Sequence, residues 1–228
     1  MSGDLSAILL ATNDPNQRAQ AEAQLKQAEE HNFPQFLDAL SAELRDEAKN
    51  PLARQMAGIM LKNSVYSKDL TKRANLETRW AGLDQSLRQK IKDNIMQALG
   101  SADRNIRRTA AGIIASLGAN EVPKGQWPQL TSQLNQLSGG QNQDHKQAAL
   151  LAIGYLCEDV ANHSLDAAEL SDADTAAILT AIGQTMGDQN DDTKIEATKA
   201  MFHALSLAHK NFAKEQERNA IMGMIATN

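Results

Sequence analysis

Four stretches of this chain follow one plan: a basic residue, then a run of small residues, then a glycine one or two turns further on. The first opens at Arg54 and reaches Gly58, the second runs from Arg107 to Gly112, and the third from Lys146 to Gly154. The fourth runs from Lys194 to Phe202; it keeps the small residues but loses the glycine. The three glycines stand 54 and 42 residues apart. Stacked helix pairs repeat roughly every 40–47 residues. The longer step contains residues 67–82, a polar and irregular stretch that reads as an insertion or long connection. Small residues let two helix axes approach toward the short end of the usual range of about 8–10 Å. Each helix pair alone leaves an apolar face uncovered, and only stacking buries it.

Helical periodicity runs through the rest of the chain. Leu5, Ile8 and Leu9 mark a short first helix, and Pro15 stands where a second would begin, in a first turn that tolerates proline. Asn32 and Asn50 read as N-caps, the second followed by Pro51. Leu87, Ile91, Ile95 and Leu99 form an amphipathic stripe that stops at Gly100. Ser101 to Asp103 cap the helix through Ile106, Ile113 and Leu117. Leu130, Leu134 and Leu137 follow Pro128, and a long helix runs from about Asp144 to Val160. Ser171 or Asp172 caps a helix with Ile178, Leu179 and Ile182, and the last helix begins near Lys214. About eleven helices result. Strand-favouring Val, Tyr, Phe and Trp are scarce, with aromatics at 4%, so the expected class is all-α. The period places it with repeats of the HEAT and armadillo kind; the alternative is an irregular helical domain with chance alanine spacing.

Charge and chemistry narrow the function. A net charge of -5 argues against general nucleic-acid binding, which calls for a concentrated basic surface. The single cysteine, Cys157, cannot form an internal disulfide, which fits a reducing compartment, and its apolar neighbours make it a core residue. There is no secretory leader pattern and no run that spans a bilayer. His31, His145, His163, His203 and His209 never fall at the i, i+4 spacing of a zinc helix, and no G-x-x-x-x-G-K-[ST] phosphate loop occurs. Glu158 and Asp159 read as a solvated helix end. No enzyme activity, cofactor or metal is expected.

Several strings are more specific than a generic repeat. Ala57 to Ser64 followed by Ser67 to Asp69, then Arg79 and Trp80, resemble the start of the importin-β family. So do Ala115 to Pro123 with Gln126 to Leu130, Ala152 to Asp159, Ile178 to Ile182, and Lys214 to Arg218 followed by Ile221 and Met222. They stand in the family's order, at close to its spacing, over essentially the whole chain. The resemblance implies an α-solenoid superhelix of HEAT repeats, about five helix pairs plus one further helix, with residues 1–228 as a single solenoid. First helices would line the convex side and second helices the concave side. It also implies a nuclear transport receptor acting in cytoplasm and nucleus, at the nuclear pore and envelope. Since Ile225 to Asn228 show no polar capping repeat, the expectation is an N-terminal piece of a longer receptor, with an apolar end that could promote dimerisation. The competing function is a HEAT scaffold that assembles an enzyme complex, such as a phosphatase.

The resemblance implies two sites. The GTPase Ran, in its GTP form, would contact Lys62, Asn63 and Lys68 on the concave face, with Arg104 and Asn105 further candidates. Phenylalanine-glycine (FG) repeats of nucleoporins would insert rings into a convex groove formed by Leu179, Thr180 and Gly183 on one helix and Glu217, Ala220 and Ile221 on the next. Gly183 and Ala220 depart from the family's larger apolar residues, which leaves less apolar area for a ring. Leu179 and Ile221 read equally as core residues. The importin-α adaptor would bind further along the receptor, so adaptor and cargo binding are expected of the full-length receptor only; neither nucleic acid nor membrane is an expected partner.

Overall fold

The computed structural model describes residues 4–162 and 169–226, so His163 lies outside the described residues. These form thirteen helices and no strand, in two compact units, residues 1–113 and 114–228. In the first unit lie α1 (Leu5–Ala11), α2 (Arg18–His31), α3 (Phe33–Arg45), α4 (Pro51–Val65), α5 (Leu70–Ala81) and α6 (Gln85–Leu99). Helix α7 (Arg104–Glu121) begins in the first unit and ends in the second. The second unit continues with α8 (Leu130–Ser138), α9 (Gln143–Ala161), α10 (Asp172–Met186), α11 (Asp191–Ala204), α12 (His209–Ala213) and α13 (Glu215–Ala226). Within the first unit α3 packs on α4 and on α6; within the second α8 packs on α9 and α10, and α9 on α11. Helices α3, α8 and α9 thus each cover their own partner or their counterpart in the next pair, the HEAT-type all-α arrangement that the repeated strings imply.

The caps follow the sequence. Asn32 Oδ1 accepts from Gln35 N, Asn50 Oδ1 from Leu52 N, Asp103 Oδ1 from Asn105 N, and Ser171 Oγ from Asp174 N. Each satisfies a donor that a helix start otherwise leaves open. Two expectations need correction. Pro15 sits in a turn before α2, because Asp14 ties the backbone there by accepting from Asn16 N, and the helix begins only at Arg18. Residues 67–82 are no irregular connection: they hold helix α5, capped by Asp69, whose Oδ1 accepts from Lys72 N. The apolar spine of α5 is only Leu76 and Trp80, one turn apart and both buried. So short a stripe gives little periodicity, but burying a tryptophan supplies the packing that holds the helix down. With α5 and α12 added, the eleven expected helices become thirteen.

Two of the four basic residues that open the repeated strings, Arg54 and Lys146, tie neighbouring layers together. Arg54, only 2% exposed, donates from Nε to Leu44 O at 3.0 Å and from its two terminal nitrogens to the Glu47 carboxylate at 3.0 and 2.8 Å. It also reaches Ser101 Oγ, in the turn between α6 and α7, at 3.1 Å. In the second unit Lys146 Nζ lies 2.6 Å from Asp188 Oδ2, in the turn between α10 and α11. Gln143 joins it, donating to Asp188 Oδ1 and accepting from Thr193 Oγ1 at 2.8 Å. The same sequence position therefore anchors the next layer's turn in both units.

The glycines set how close the layers come. A Cβ on Gly58 would stand 2.5 Å from Thr109 Cγ2 and 3.0 Å from Leu44 Cδ1. Thr109 cannot swing away freely, being β-branched and held by its hydroxyl, which donates to Asn105 O at 2.8 Å. A Cβ on Gly154 would meet only Ala200, with its Cα at 3.4 Å, its Cβ at 3.7 Å and its N at 3.8 Å, ordinary contact distances. Cys157 is fully buried on α9, and desolvation pushes its thiol up to about 12, the state of an inert core residue.

Candidate functional site

Two surfaces carry the candidate residues, one in each unit. In the first unit, α4 and α7 lie side by side, with Gly58 against Thr109 and Gly112 against Lys62. Since both contacts advance in the same chain direction, the two helices run parallel. Lys62 is half-buried, and its Nζ stands 5.8 Å from the centroid of the Tyr66 ring. Arg73 covers the same ring at 4.7 Å and donates to Ser67 O, so the end of α4 and the turn after it are held in a fixed geometry. Asn63 and Lys68 are exposed there. Arg104 and Asn105 are exposed at the opposite end of this strip, two turns back along α7 from Gly112. At 1.5 Å per residue that is roughly 10–12 Å along the axis. The structure thus groups Lys62, Asn63 and Lys68, and sets Arg104 and Asn105 apart from them.

In the second unit all six groove candidates converge. Leu179, Thr180 and Gly183 on α10 and Glu217, Ala220 and Ile221 on α13 line one cavity of about 510 Å³. The helical spacing explains it: positions 176, 179, 180 and 183 form one stripe of α10, and 217, 220, 221 and 224 one stripe of α13. Leu179 and Ile221 are buried, so most of their surface packs α10 on α13 and the remainder faces the cavity. They are therefore core residues of the second unit that also contribute to the cavity lining. Thr180 Oγ1 donates back to Ala176 O at 2.7 Å, which leaves its methyl as the apolar contribution.

The rim is polar and internally paired. Lys214 Nζ stands 3.0 Å from Glu217 Oε1, and Asn211 donates to Glu217 Oε2 at 2.7 Å. The Lys214 hydrogen bond, with help from Asn211, holds the Glu217 carboxyl below its usual range, and the same bond raises Lys214. The arrangement is an apolar floor under a neutralised rim, suited to a small apolar group and not to a charge. Ala176, Lys210, Lys214 and Met224 also line the cavity, and the sequence reading missed them. Extending each stripe by one turn finds Ala176 and Met224; Lys210 comes from α12, which no periodicity announced.

The remaining chemistry is structural. Asp159 accepts from Ser116 Oγ at 3.2 Å and so is half-buried against α7, which corrects the solvated reading of that residue; Glu158 is exposed as expected. Among the described residues no three His, Cys, Asp or Glu side chains cluster to hold a metal, and no helix is long and apolar enough to cross a membrane.

Residues 21–101 match the importin-beta N-terminal domain. Importin subunit beta-1 of Arabidopsis thaliana is 35% identical over 218 residues, which is 93% of this chain and 24% of that protein. The chain thus spans about a quarter of the length of the relatives it matches. Among solved structures, the Kap95:Nup1 complex superposes with a TM-score of 0.90 at 30% identity, over 98% of this chain and 26% of the other. A structure of Kap95p with Ran, in which Kap95p binding induces the switch loops of RanGDP to adopt the GTP-bound conformation, gives 0.89 at 30% identity, again over 98% of this chain and 26% of the other. In sequence over nearly its whole length, and in its all-α HEAT-repeat solenoid fold, this chain is similar to the N-terminal region of importin-β, and residues 21–101 carry that family's N-terminal domain signature.

Proposed function

We propose that this chain serves as part of a nuclear import receptor, shuttling between cytoplasm and nucleus through the nuclear pore, with two separate binding surfaces. The α10–α13 groove takes the phenylalanine ring of an FG nucleoporin segment. The strip at the end of α4, built on Lys62, Asn63 and Lys68, contacts Ran in its GTP-bound form. The observation that carries the reading is the convergence of all six groove residues on one apolar-floored cavity. The related Kap95 has been solved with Nup1 and with Ran, which supports both partner classes.

Physical chemistry favours this division. A ring docked on Leu179, Ala220 and Ile221 gains by burial of apolar area, at about 25 cal/mol per Å², and the paired rim opposes it little. The strip offers two cations and a side-chain amide on a rigid platform, a surface able to read the shape and charge of a GTPase switch region. Arg104 and Asn105 are secondary contacts, because they stand two turns away. Adaptor and cargo would bind the full-length receptor beyond this chain.

The test is a pair of titrations. A fluorescent FG peptide should bind with micromolar to millimolar affinity and lose it when Ile221 becomes Asp. Ran loaded with a non-hydrolysable GTP analogue should bind more tightly than Ran loaded with GDP. Equal affinity for the two nucleotide states would remove the GTPase half of the proposal.

A further inference from the structure

Gly183 is where the groove departs from an ordinary helix contact. A Cβ there would overlap the sulfur of Met224, with Met224 Cε at 3.7 Å and Cγ at 4.0 Å. The thioether of α13 therefore nests directly on the α10 backbone, in a notch that exists only because residue 183 has no side chain. Met224 also lines the cavity and is half-exposed. It lies one turn beyond Ala220 and three residues beyond Ile221, so the cavity floor joins a buried aliphatic side chain to a sulfur.

We infer that Met224, seated by Gly183, is the residue that makes this groove select aromatic side chains over aliphatic ones. The inference rests on the groove reading given under Proposed function and deepens it by naming the specificity element. A methionine sulfur gains from an aromatic ring edge about 5 Å away, and this gain is absent for a saturated ring of the same size. Leucine and isoleucine floors bind the two rings alike, through area alone. Residue 183 acts as a positioning residue: any side chain there evicts the sulfur, and a methionine, flexible at its far end, yields without moving the backbone.

The experiment compares two peptides that differ in one residue, phenylalanine against cyclohexylalanine, titrated by fluorescence anisotropy onto the whole chain. Wild type should prefer phenylalanine by about 3–10-fold. Met224→Leu keeps the volume but removes the sulfur, and should bring the ratio near one while cyclohexylalanine binding stays within about 2-fold. Gly183→Ala should produce the same loss of preference. The double variant should match either single one, because both remove the same contact. A ratio unchanged in Met224→Leu, or losses that simply add in the double variant, overturns the inference. Ile221→Asp separates the two levels. If it leaves peptide binding intact, or if wild type binds neither peptide, the groove reading falls and this one with it. If it abolishes binding and Met224→Leu still discriminates, only the sulfur's role is lost.

Discussion

The α4–α7 strip and the α10–α13 groove are held together in different ways. In the strip, the helices touch through Gly58 and Thr109 with no room for one more carbon, and Arg54 ties the adjoining turns by four hydrogen bonds. In the groove, the contact at Gly183 is filled by the mobile end of Met224, and the rim by an exposed lysine–glutamate pair. The first contact is a rigid mount for charged and polar groups, and the second is an adaptable apolar slot. The contrast teaches that a repeat fold can offer two kinds of recognition from one helix-pair plan, by changing what fills the space between neighbouring helices.

The comparison breaks first if the groove does not depend on its floor. Ile221→Asp places a carboxylate among apolar groups at a site 3% exposed, and FG-peptide affinity should fall about 100-fold or more. Ran binding should stay unchanged.

The next largest effect concerns the tight mount. Gly58→Ala forces a methyl against a Thr109 that cannot rotate, and should destabilise the first unit by about 1–3 kcal/mol in denaturant unfolding. Gly154→Ala meets only Ala200, no nearer than 3.4 Å. Its helix propensity gain of about 1 kcal/mol offsets that contact, so the second unit should be unchanged or slightly more stable. Equal destabilisation by the two variants would erase the difference between the layers.

Lys62→Glu should weaken GTP-loaded Ran by about 10-fold at low salt, and the loss should shrink as ionic strength rises. Arg104→Glu, two turns away, should cost less than about 3-fold. FG-peptide binding, carried by apolar contact, should respond weakly to salt. A groove more salt-sensitive than the strip would invert the assignment.

The smallest effect is the pH response of the layer ties. Arg54 holds the Glu47 carboxyl below its ordinary value, chiefly by hydrogen bonding and with Ser101 assisting; Lys146 does the same to Asp188, with the Asn190 backbone N–H assisting. A carboxyl depressed in the folded state contributes stability above its unfolded value near 4 and loses it as pH falls through the folded value. Thermal midpoints should therefore drop between about pH 5 and pH 2. Lys146→Met should flatten that slope more than Arg54→Met, because the Asp188 side chain is 9% exposed and that of Glu47 57%.

Much of this was legible in the sequence, for identifiable reasons. Helix starts were visible because Asn32, Asn50 and Ser171 carry their caps in their own side chains. The groove residues came from the resemblance to the importin-β family, and their helical spacing on α10 and α13 is why they line one cavity. Helix α5 was hidden because Leu76 and Trp80 make too short a stripe, and Met224 because nothing in its local pattern shows that Gly183 on another helix opens a notch for it. The separation of Arg104 from Lys62 was also hidden, since it depends on the parallel register of α4 and α7, which the Gly58–Thr109 contact sets.

The most direct test is a crossed titration of wild type, Ile221→Asp and Lys62→Glu, each against an FG peptide and against GTP-loaded Ran. The prediction is that Ile221→Asp loses only the peptide and Lys62→Glu weakens only Ran. Both variants losing both partners, or Ile221→Asp keeping the peptide, would contradict two separate surfaces built on differently packed helices.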